Sequence, residues 1–526
     1  MCGIVGAMPP CRLDLGWLGH RGPDASGTST DGHVTFGHTR LSILEPTDRG
    51  LQPIWSDDGA VLLAFNGEIY NHLKLQGADP TSDTRSLLGW LARTGTGFPS
   101  GSLDGMYAFA AWFPKDQTLA LARDPVGVKP LYLAISKDGE CVAFASEIKG
   151  FYGIEWFEAK PNLDPSVQRQ FLQNGYAVPG RVGLKLRGLA STVRLVPTLL
   201  ERVWQVCPGQ ILMIGPRGVS ERWCAIQAPA HDLDILASSV RSQMMSDVEV
   251  GVQLSGGIDS SLVAHAYASE GTRVRGFYVS VGHPGHDEDD WVRIAADAIG
   301  RAGQFELHTI EMTQESFLGS LDDVAWHLDE PAIRHPNAAG VYRLCEYVRR
   351  KTPVKVLLTG EGADEVFGGY SWHDGRTMEG YDRSRRIFNF GDLPELSPYL
   401  AFEGREALKA QLAYDRAIYL PPILARQDRM SMAHGIEARV PFLSNAFLTM
   451  QPPLVPGKQV LKRRAERVFG REFAHRAKCG FGFPLPWLIA SDWDASDLDW
   501  LSMKVDPSTG FQRWTLSALA RWSRLF

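Results

Sequence analysis

Met1-Cys2-Gly3-Ile4-Val5-Gly6 opens the chain, and the reading of its first half turns on the second residue. Initiator methionine is usually removed ahead of a small residue, which would leave Cys2 at the N-terminus. An N-terminal cysteine carries two reactive groups at once. Its thiol can attack a carbonyl, and its free α-amine, with a reference pKa of about 7.7–8.0, can take and return the proton. A cysteine at position 2 is thin support by itself. It is followed here by Arg40-Leu41-Ser42-Ile43, Asn66-Gly67-Glu68-Ile69-Tyr70-Asn71 and Ser82-Asp83-Thr84.

At 526 residues the chain is too long for one core and implies two or three domains. Its 44% hydrophobic and 22% charged residues describe a globular protein, and a net charge of −6 argues against a general grip on nucleic acid. No apolar run is long enough to span a bilayer, and no basic stretch leads into an apolar one at the N-terminus, so neither a membrane role nor a secretion signal is expected. The seven cysteines, Cys2, Cys11, Cys141, Cys207, Cys224, Cys345 and Cys479, are scattered with no CxxC pair. That favours reduced thiols and a cytoplasmic setting over a disulfide frame or a zinc site.

The first half reads as short strands joined by Gly/Pro/Asp turns, at 34–38, 61–65, 107–113, 119–122 and 141–145, with one clear helix at 84–93. Pro208-Gly209-Gln210 leads into residues 211–214, read as the last strand of that domain. A Pro/Ala/His stretch at 227–231 sets the boundary. Strands and helices then alternate: a helix over 232–245, a strand at 248–254, a helix at 262–268, a strand at 276–281, a helix at 291–299 and a strand at 354–358. Such alternation implies a parallel sheet covered by helices. From 408 onward the chain reads as mostly helical.

Six groups in the first half suit amide hydrolysis. Cys2 is the nucleophile, and Arg40 can pair in bidentate fashion with a substrate carboxylate. Glu68 and Asp83 can accept from an ammonium group. Asn66, through its side-chain N–H, and Gly67, through its backbone N–H, can stabilise a tetrahedral oxyanion. Each has a plainer reading: Asn-Gly is more often a hairpin turn, and a single Arg or Asp a solvated surface group. Their order behind Cys2 favours the catalytic reading and resembles the class II glutamine amidotransferases, N-terminal-nucleophile glutaminases that release ammonia from glutamine. That resemblance also brings Leu41 and Ile43 into the glutamine site. His20-Arg21-Gly22-Pro23-Asp24, residues 123–131 and residues 144–149 match as well and read as turns or domain contacts.

The second half carries Leu254-Ser255-Gly256-Gly257-Ile258-Asp259-Ser260-Ser261, between a strand and a helix. Small residues there let backbone N–H groups approach a phosphate at the helix N-terminus. No GxxxxGK[ST] is present, so this is not a Walker A loop. It resembles the pyrophosphate (PP) loop of enzymes that adenylate a substrate and release pyrophosphate. Thr359-Gly360-Glu361-Gly362-Ala363-Asp364 follows the next strand. The resemblance implies ATP and Mg²⁺, with Asp259 and Asp364 on the metal, a job that suits paired carboxylates. The plainer reading of Asp364 is a helix cap. Leu254, Val279, Thr359 and Gly360 would border adenosine. Glu361 matches a residue tied to forming the acyl-adenylate, and Lys478 a lysine that neutralises phosphate. Residues 427–443, Gln-Asp-Arg-Met-Ser-Met-Ala-His onward, are characteristic of asparagine synthetases.

From Cys2 to about Trp487 the chain resembles the glutamine-hydrolysing asparagine synthetases. The resemblance implies an α/β multidomain protein. Residues 1–226 would form an αββα Ntn-hydrolase sandwich, the glutaminase. Residues 227–526 would form the synthetase, a parallel α/β sheet with a PP-loop and a helical C-terminal part. It implies glutamine and aspartate as substrates, ammonia passed internally between two reactions, and often a homodimer. Several features depart from the pattern: a short 5–20 segment, Arg85 in place of an acidic residue, an apparent basic insertion at 181–200, and an acceptor region, 329–337, reading Asp-Glu-Pro-Ala-Ile-Arg-His-Pro-Asn. These leave a specialised carboxylate (a natural-product, peptide or sugar acid) as an alternative acceptor. A cyclase resembling β-lactam synthetase or a lasso-peptide cyclase is a more distant rival, disfavoured by the intact glutaminase set. A non-catalytic scaffold is disfavoured by the retention of Cys2, Asp259 and Asp364.

Overall fold

A computed structural model describes residues 2–227, 234–283, 285–286, 288–374, 380–381, 385–390, 405–453, 455–477, 482–491 and 493–526. It divides into two compact units, Met1–Gln168 with Ala177–Gln227, and Arg169–Tyr176 with Ala228–Phe526.

The strands of the first unit are β1 (Cys2–Met8), β2 (Ala25–Thr30), β3 (Thr35–Arg40), β4 (Ile54–Trp55), β5 (Leu62–Ile69), β6 (Gly105–Phe113), β7 (Thr118–Arg123), β8 (Tyr132–Ile135), β9 (Val142–Ala145), β10 (Gly180–Leu186), β11 (Leu189–Pro197), β12 (Val203–Gln205), β13 (Gln210–Gly215) and β14 (Gly218–Trp223). They form two sheets, ordered β10-β11-β12-β8-β9-β1-β3-β2 and β14-β13-β7-β6-β5-β4. All paired neighbours are antiparallel.

Strand periodicity explains the layering. On β5, Leu62 and Ala64 join the core between the sheets with Ile4, Phe36, Trp112 and Phe144. Leu63 and Phe65 point the other way, onto Leu87, Trp90 and Leu91 of the helix Asp83–Thr94. A strand buried on both faces reads as a continuous apolar run rather than an alternating one. The short helical turns Leu15–Leu18 and Ile148–Gly153 lie against β1, β3 and β9.

One expectation changes here. Residues 211–214 are not the last strand, because β14 pairs with β13. In the basic 181–200 segment, β10 and β11 form a hairpin at the end of the larger sheet. Leu184, Leu186, Val193 and Leu195 of that hairpin enter the core, while Arg181, Lys185, Arg187 and Arg194 face out. Its alternating apolar residues were hidden by the attention its charges draw.

The second unit holds β15 (Val250–Leu254), β16 (Val274–Ser280), β17 (Phe305–Glu311), β18 (Val356–Leu358) and β19 (Glu437–Arg439), all parallel, in the order β17-β16-β15-β18-β19. Helices Ile258–Ala268, Asp289–Ala302 and Ala338–Lys351 lie between successive strands. The chain reverses its direction of travel across the sheet between β15–β16 and β15–β18. That switch point is where open α/β sheets leave a crevice at their strand ends. The 435–443 segment supplies the edge strand β19, which composition did not reveal. Among the described residues, no helix is long and apolar enough to cross a membrane.

Candidate functional site

Cys2 begins β1 and pairs in register with Arg40 at the end of β3. It is buried, and its backbone nitrogen donates to Asn66 Oδ1 at 3.0 Å. Asn66-Gly67 is no hairpin turn. Both residues sit mid-strand on β5, opposite Ala108 and Tyr107. Gly67 has φ +149°, and a Cβ there would overlap the Met106 carbonyl. The position therefore demands glycine. Asn66 is fully buried, and among the described residues its Nδ2 has no hydrogen-bond partner. A buried amide donor left unsatisfied costs about 1–3 kcal/mol. Its placement beside Cys2 gives that donor a use when a ligand arrives.

One pocket of about 370 Å³ is lined by Cys2, Arg40, Leu41, Ile43, Gly67, Glu68 and Asp83 together with Gln52, Phe65 and Thr84. Residues spread over some eighty positions of sequence thus meet at one place. Arg40 is buried, donating to Thr47 O at 2.8 Å and to Glu45 O, with its guanidinium lying where a Cβ on Gly50 would be. Asp83 starts its helix and accepts from Ile69 N at 3.0 Å and Thr84 N at 2.7 Å. His38, fully buried beneath β5, contacts Phe65 O through Nε2 at 3.3 Å. Burial, against the pull of that carbonyl, takes its pKa down to about 3.

Sequence reasoning assigned Arg21 to a turn, and the structure ties it to Cys2. Its Nε donates to the Cys2 carbonyl at 3.0 Å and its Nη1 to Glu147 Oε1 at 2.6 Å, with Arg21 and Glu147 both fully buried. His20 and Lys149 also reach Glu147, at 2.9 and 2.5 Å. Burial alone would raise the Glu147 pKa, but Lys149, His20 and Arg21 hold it well below the carboxylate range. The turn-like composition of His20-Arg21-Gly22-Pro23-Asp24 concealed this link. Only the 126-residue separation of Arg21 and Glu147, closed by β1 and β9 lying side by side, makes it.

In the second unit, β15 runs into Ser255-Gly256-Gly257 and the helix Ile258–Ala268. Ser260 Oγ accepts from Ser255 N at 3.1 Å and so closes the loop. Gly256, at φ +70°, gives its carbonyl to Arg476 Nη2 at 2.7 Å, and Arg476 also pairs with Glu288 at 2.6 Å. Gly360 packs against this helix start: a Cβ there would lie 2.6 Å from Ser260 N. Ser261 is fully buried. Leu254, Ser255 and Val279 line a pocket of about 360 Å³ with Gln253, Tyr278, His286, Glu288 and Leu344. Thr359 and Gly360 are not among its walls. Thr359 is instead bound to Arg439 O, at 2.9 Å through its nitrogen.

Asp259 and Asp364 do come together, and Asp364 sits in the first turn of Ala363–Phe367 without acting as its cap. Both carboxylates meet the ammonium of Lys458, at 2.7 Å for Asp364 Oδ1. Burial opposes that charge, but the two aspartates outweigh it and hold Lys458 above the usual lysine range. Two carboxylates from adjacent strand ends converging on one cation fit a hard metal ion by donor chemistry. Glu361 pairs with the buried Arg426. In the 329–337 segment, Arg334 is spent on main-chain carbonyls, Asn174 O at 2.6 Å and Arg385 O. Lys478 lies outside the described residues.

Residues 233–492 match the family model described as asparagine synthase, and residues 1–186 match the glutamine amidotransferase domain. The chain is 30% identical to the glutamine-hydrolysing asparagine synthetase of Rattus norvegicus, covering 86% of this chain and 76% of that protein. The chain belongs to the glutamine-hydrolysing asparagine synthetase family. Asparagine synthetase [glutamine-hydrolyzing] 1 of Bacillus subtilis strain 168 is 28% identical, with 89% and 83% of the two chains covered. A solved glutamine phosphoribosylpyrophosphate amidotransferase from B. subtilis covers 59% of this chain and 81% of its own at 18% identity, with a TM-score of 0.29, too low to carry an argument.

Proposed function

We propose that residues 1–226 release ammonia from glutamine and that residues 227–526 use it to amidate an adenylated carboxylate, with aspartate the leading acceptor. The single observation that supports this best is that Cys2, hydrogen-bonded through its nitrogen to the buried Asn66, lines one pocket with Arg40, Gly67, Glu68 and Asp83. In this reading Cys2 Sγ attacks the glutamine amide carbon. Gly67 N–H and Asn66 Nδ2 stabilise the oxyanion, the Cys2 amine delivers a proton to departing ammonia, and water then frees glutamate from the thioester. Arg40 holds the substrate α-carboxylate, with Glu68 and Asp83 on its ammonium and Leu41 and Ile43 along its stem.

In the second half ATP binds along the Ser255–Ser261 loop, its adenosine in the pocket of Leu254 and Val279. Asp259 and Asp364 would hold Mg²⁺, which would supply positive charge against the negative charge of the phosphates. Glu361 serves the acceptor end, where the carboxylate is adenylated, pyrophosphate departs and ammonia displaces AMP. Lys478 would complete the proposed ATP contacts, whereas Thr359, whose nitrogen is bound to Arg439 O, is not among them. A cytoplasmic setting agrees with free Cys2, Cys11, Cys141, Cys207, Cys224 and Cys345.

The acceptor is the open choice. Arg334, the guanidinium of the acceptor segment, is engaged by backbone carbonyls, and this favours keeping specialised carboxylates as the second reading. Pyrophosphate release with ATP, Mg²⁺ and glutamine across a panel of carboxylates tests both. Aspartate-dependent pyrophosphate together with asparagine supports the first. Silence with aspartate beside steady glutamate release rejects it in favour of the second. Absence of glutamate release rejects the glutaminase reading.

A further inference from the structure

We propose that Lys458 is the resident counter-cation of the Asp259–Asp364 pair, and that a divalent metal arriving with nucleotide displaces it. This rests on the reading of the two aspartates as the metal site. Their side chains are largely buried, and the ammonium that joins them is buried more deeply still. Two carboxylates brought this close repel one another, and a positive group between them offsets that repulsion.

The local structure supplies that group in a particular way. Lys458 has a left-handed backbone, φ +56°, and precedes the helix Gln459–Phe469. Its backbone is fixed to the far end of the Asp364 helix: Lys458 N donates to Phe367 O at 3.3 Å and Gly457 N to Gly368 O at 2.6 Å. Gly369 makes the room, since a Cβ there would overlap both Lys458 Cε and Asp364 Oδ1. The anchor is rigid and the four-carbon stem is not. An ammonium is a compact point charge on a flexible arm, free to turn from one anionic partner to another. With lysine alone the cluster carries net −1. With a divalent ion in place and the lysine turned aside it is neutral, and the ammonium becomes a second positive charge beside a polyphosphate. Metal binding is therefore weak without nucleotide, because the ion competes with a tethered ammonium, and strong with it.

Mn²⁺ binding to the full-length protein, read by electron paramagnetic resonance of the free ion, tests this with and without a non-hydrolysable ATP analogue. Lys458→Met should bind free Mn²⁺ about tenfold more tightly than wild type when nucleotide is absent, while Lys458→Arg stays close to wild type. Circular dichroism and thermal melting establish that each variant is folded. Equal affinity in Lys458→Met and wild type overturns the proposal. So does a wild-type affinity that nucleotide leaves unchanged, a measurement that needs no variant. Asp364→Asn separates the two levels. If it leaves Mn²⁺ binding in the presence of the analogue intact, the metal-site reading itself fails; if it weakens binding but Lys458→Met gains nothing, only the counter-cation role fails.

Discussion

Asn66 does two jobs with two atoms, and Asn66→Asp separates them. Oδ1 accepts from the Cys2 nitrogen at 3.0 Å, whereas Nδ2 is buried with no partner among the described residues. Aspartate is nearly isosteric and keeps an oxygen for the Cys2 nitrogen. It replaces the lone donor by an acceptor, which repels a developing oxyanion. Loss of one oxyanion-hole donor costs about 10²–10³ in kcat, or about 2.7–4 kcal/mol. The glutamine KM should change little, because the groups proposed to hold the α-carboxylate and α-ammonium, Arg40, Glu68 and Asp83, are untouched. Glutamate release measured with a coupled dehydrogenase gives both parameters, and amide synthesis from free ammonia serves as the control that should survive. A kcat within about threefold of wild type, or a defect confined to KM, would refute the assignment of Nδ2 to the oxyanion.

The remaining predictions concern groups that support this pocket. Gly67→Ala forces a side chain into the Met106 carbonyl at a positive φ, so glutaminase activity should vanish and thermal denaturation should show a loss of more than about 2 kcal/mol. Glu147→Ala leaves Arg21, His20 and Lys149 buried around a missing anion; breaking a buried pair in this way costs about 3–5 kcal/mol in chemical denaturation. His38 has its folded pKa depressed to about 3, so the unfolded chain binds the extra proton between about pH 6.5 and that value. Stability should be full above pH 6.5 and fall by about 1.4 kcal/mol per unit as pH drops through the window, a slope that His38→Gln should remove. The depressed pKa of Glu147 acts in the same direction at lower pH, below its ordinary range.

How much of this was legible in the sequence depended on whether the information was local. The Ser255–Ser261 loop was readable because strand, glycines and helix are contiguous, and β3, β5, β6, β7, β9 and β13 because apolar runs mark them. Asn66-Gly67 was ambiguous: the dipeptide that favours a hairpin also suits a strand whose neighbour, Met106, approaches too closely for any Cβ. Lys458 was not legible at all. It lies 199 positions from Asp259 and 94 from Asp364, on the N-terminal side of a helix whose other charged residues are mostly solvated. Only the parallel sheet, by setting β15 and β18 side by side, brings their ends within reach of it.

The same contrast explains why the two sites are built differently. The Cys2 pocket is held by main-chain and fully buried contacts: Arg21 on the Cys2 carbonyl, Asn66 on its nitrogen, Gly67 locked into a strand. In the proposed reading, a nucleophile at Cys2 gains from such rigidity, since its placement must be accurate to a fraction of an ångström. The Asp259–Asp364 site is held instead by one long side chain between two carboxylates. If the Asp259–Asp364 pair takes a nucleotide and its metal, as proposed, it cannot be locked by buried backbone bonds without also trapping its product. In the proposed reading, a tethered ammonium keeps the carboxylates in register and still leaves by rotation about single bonds.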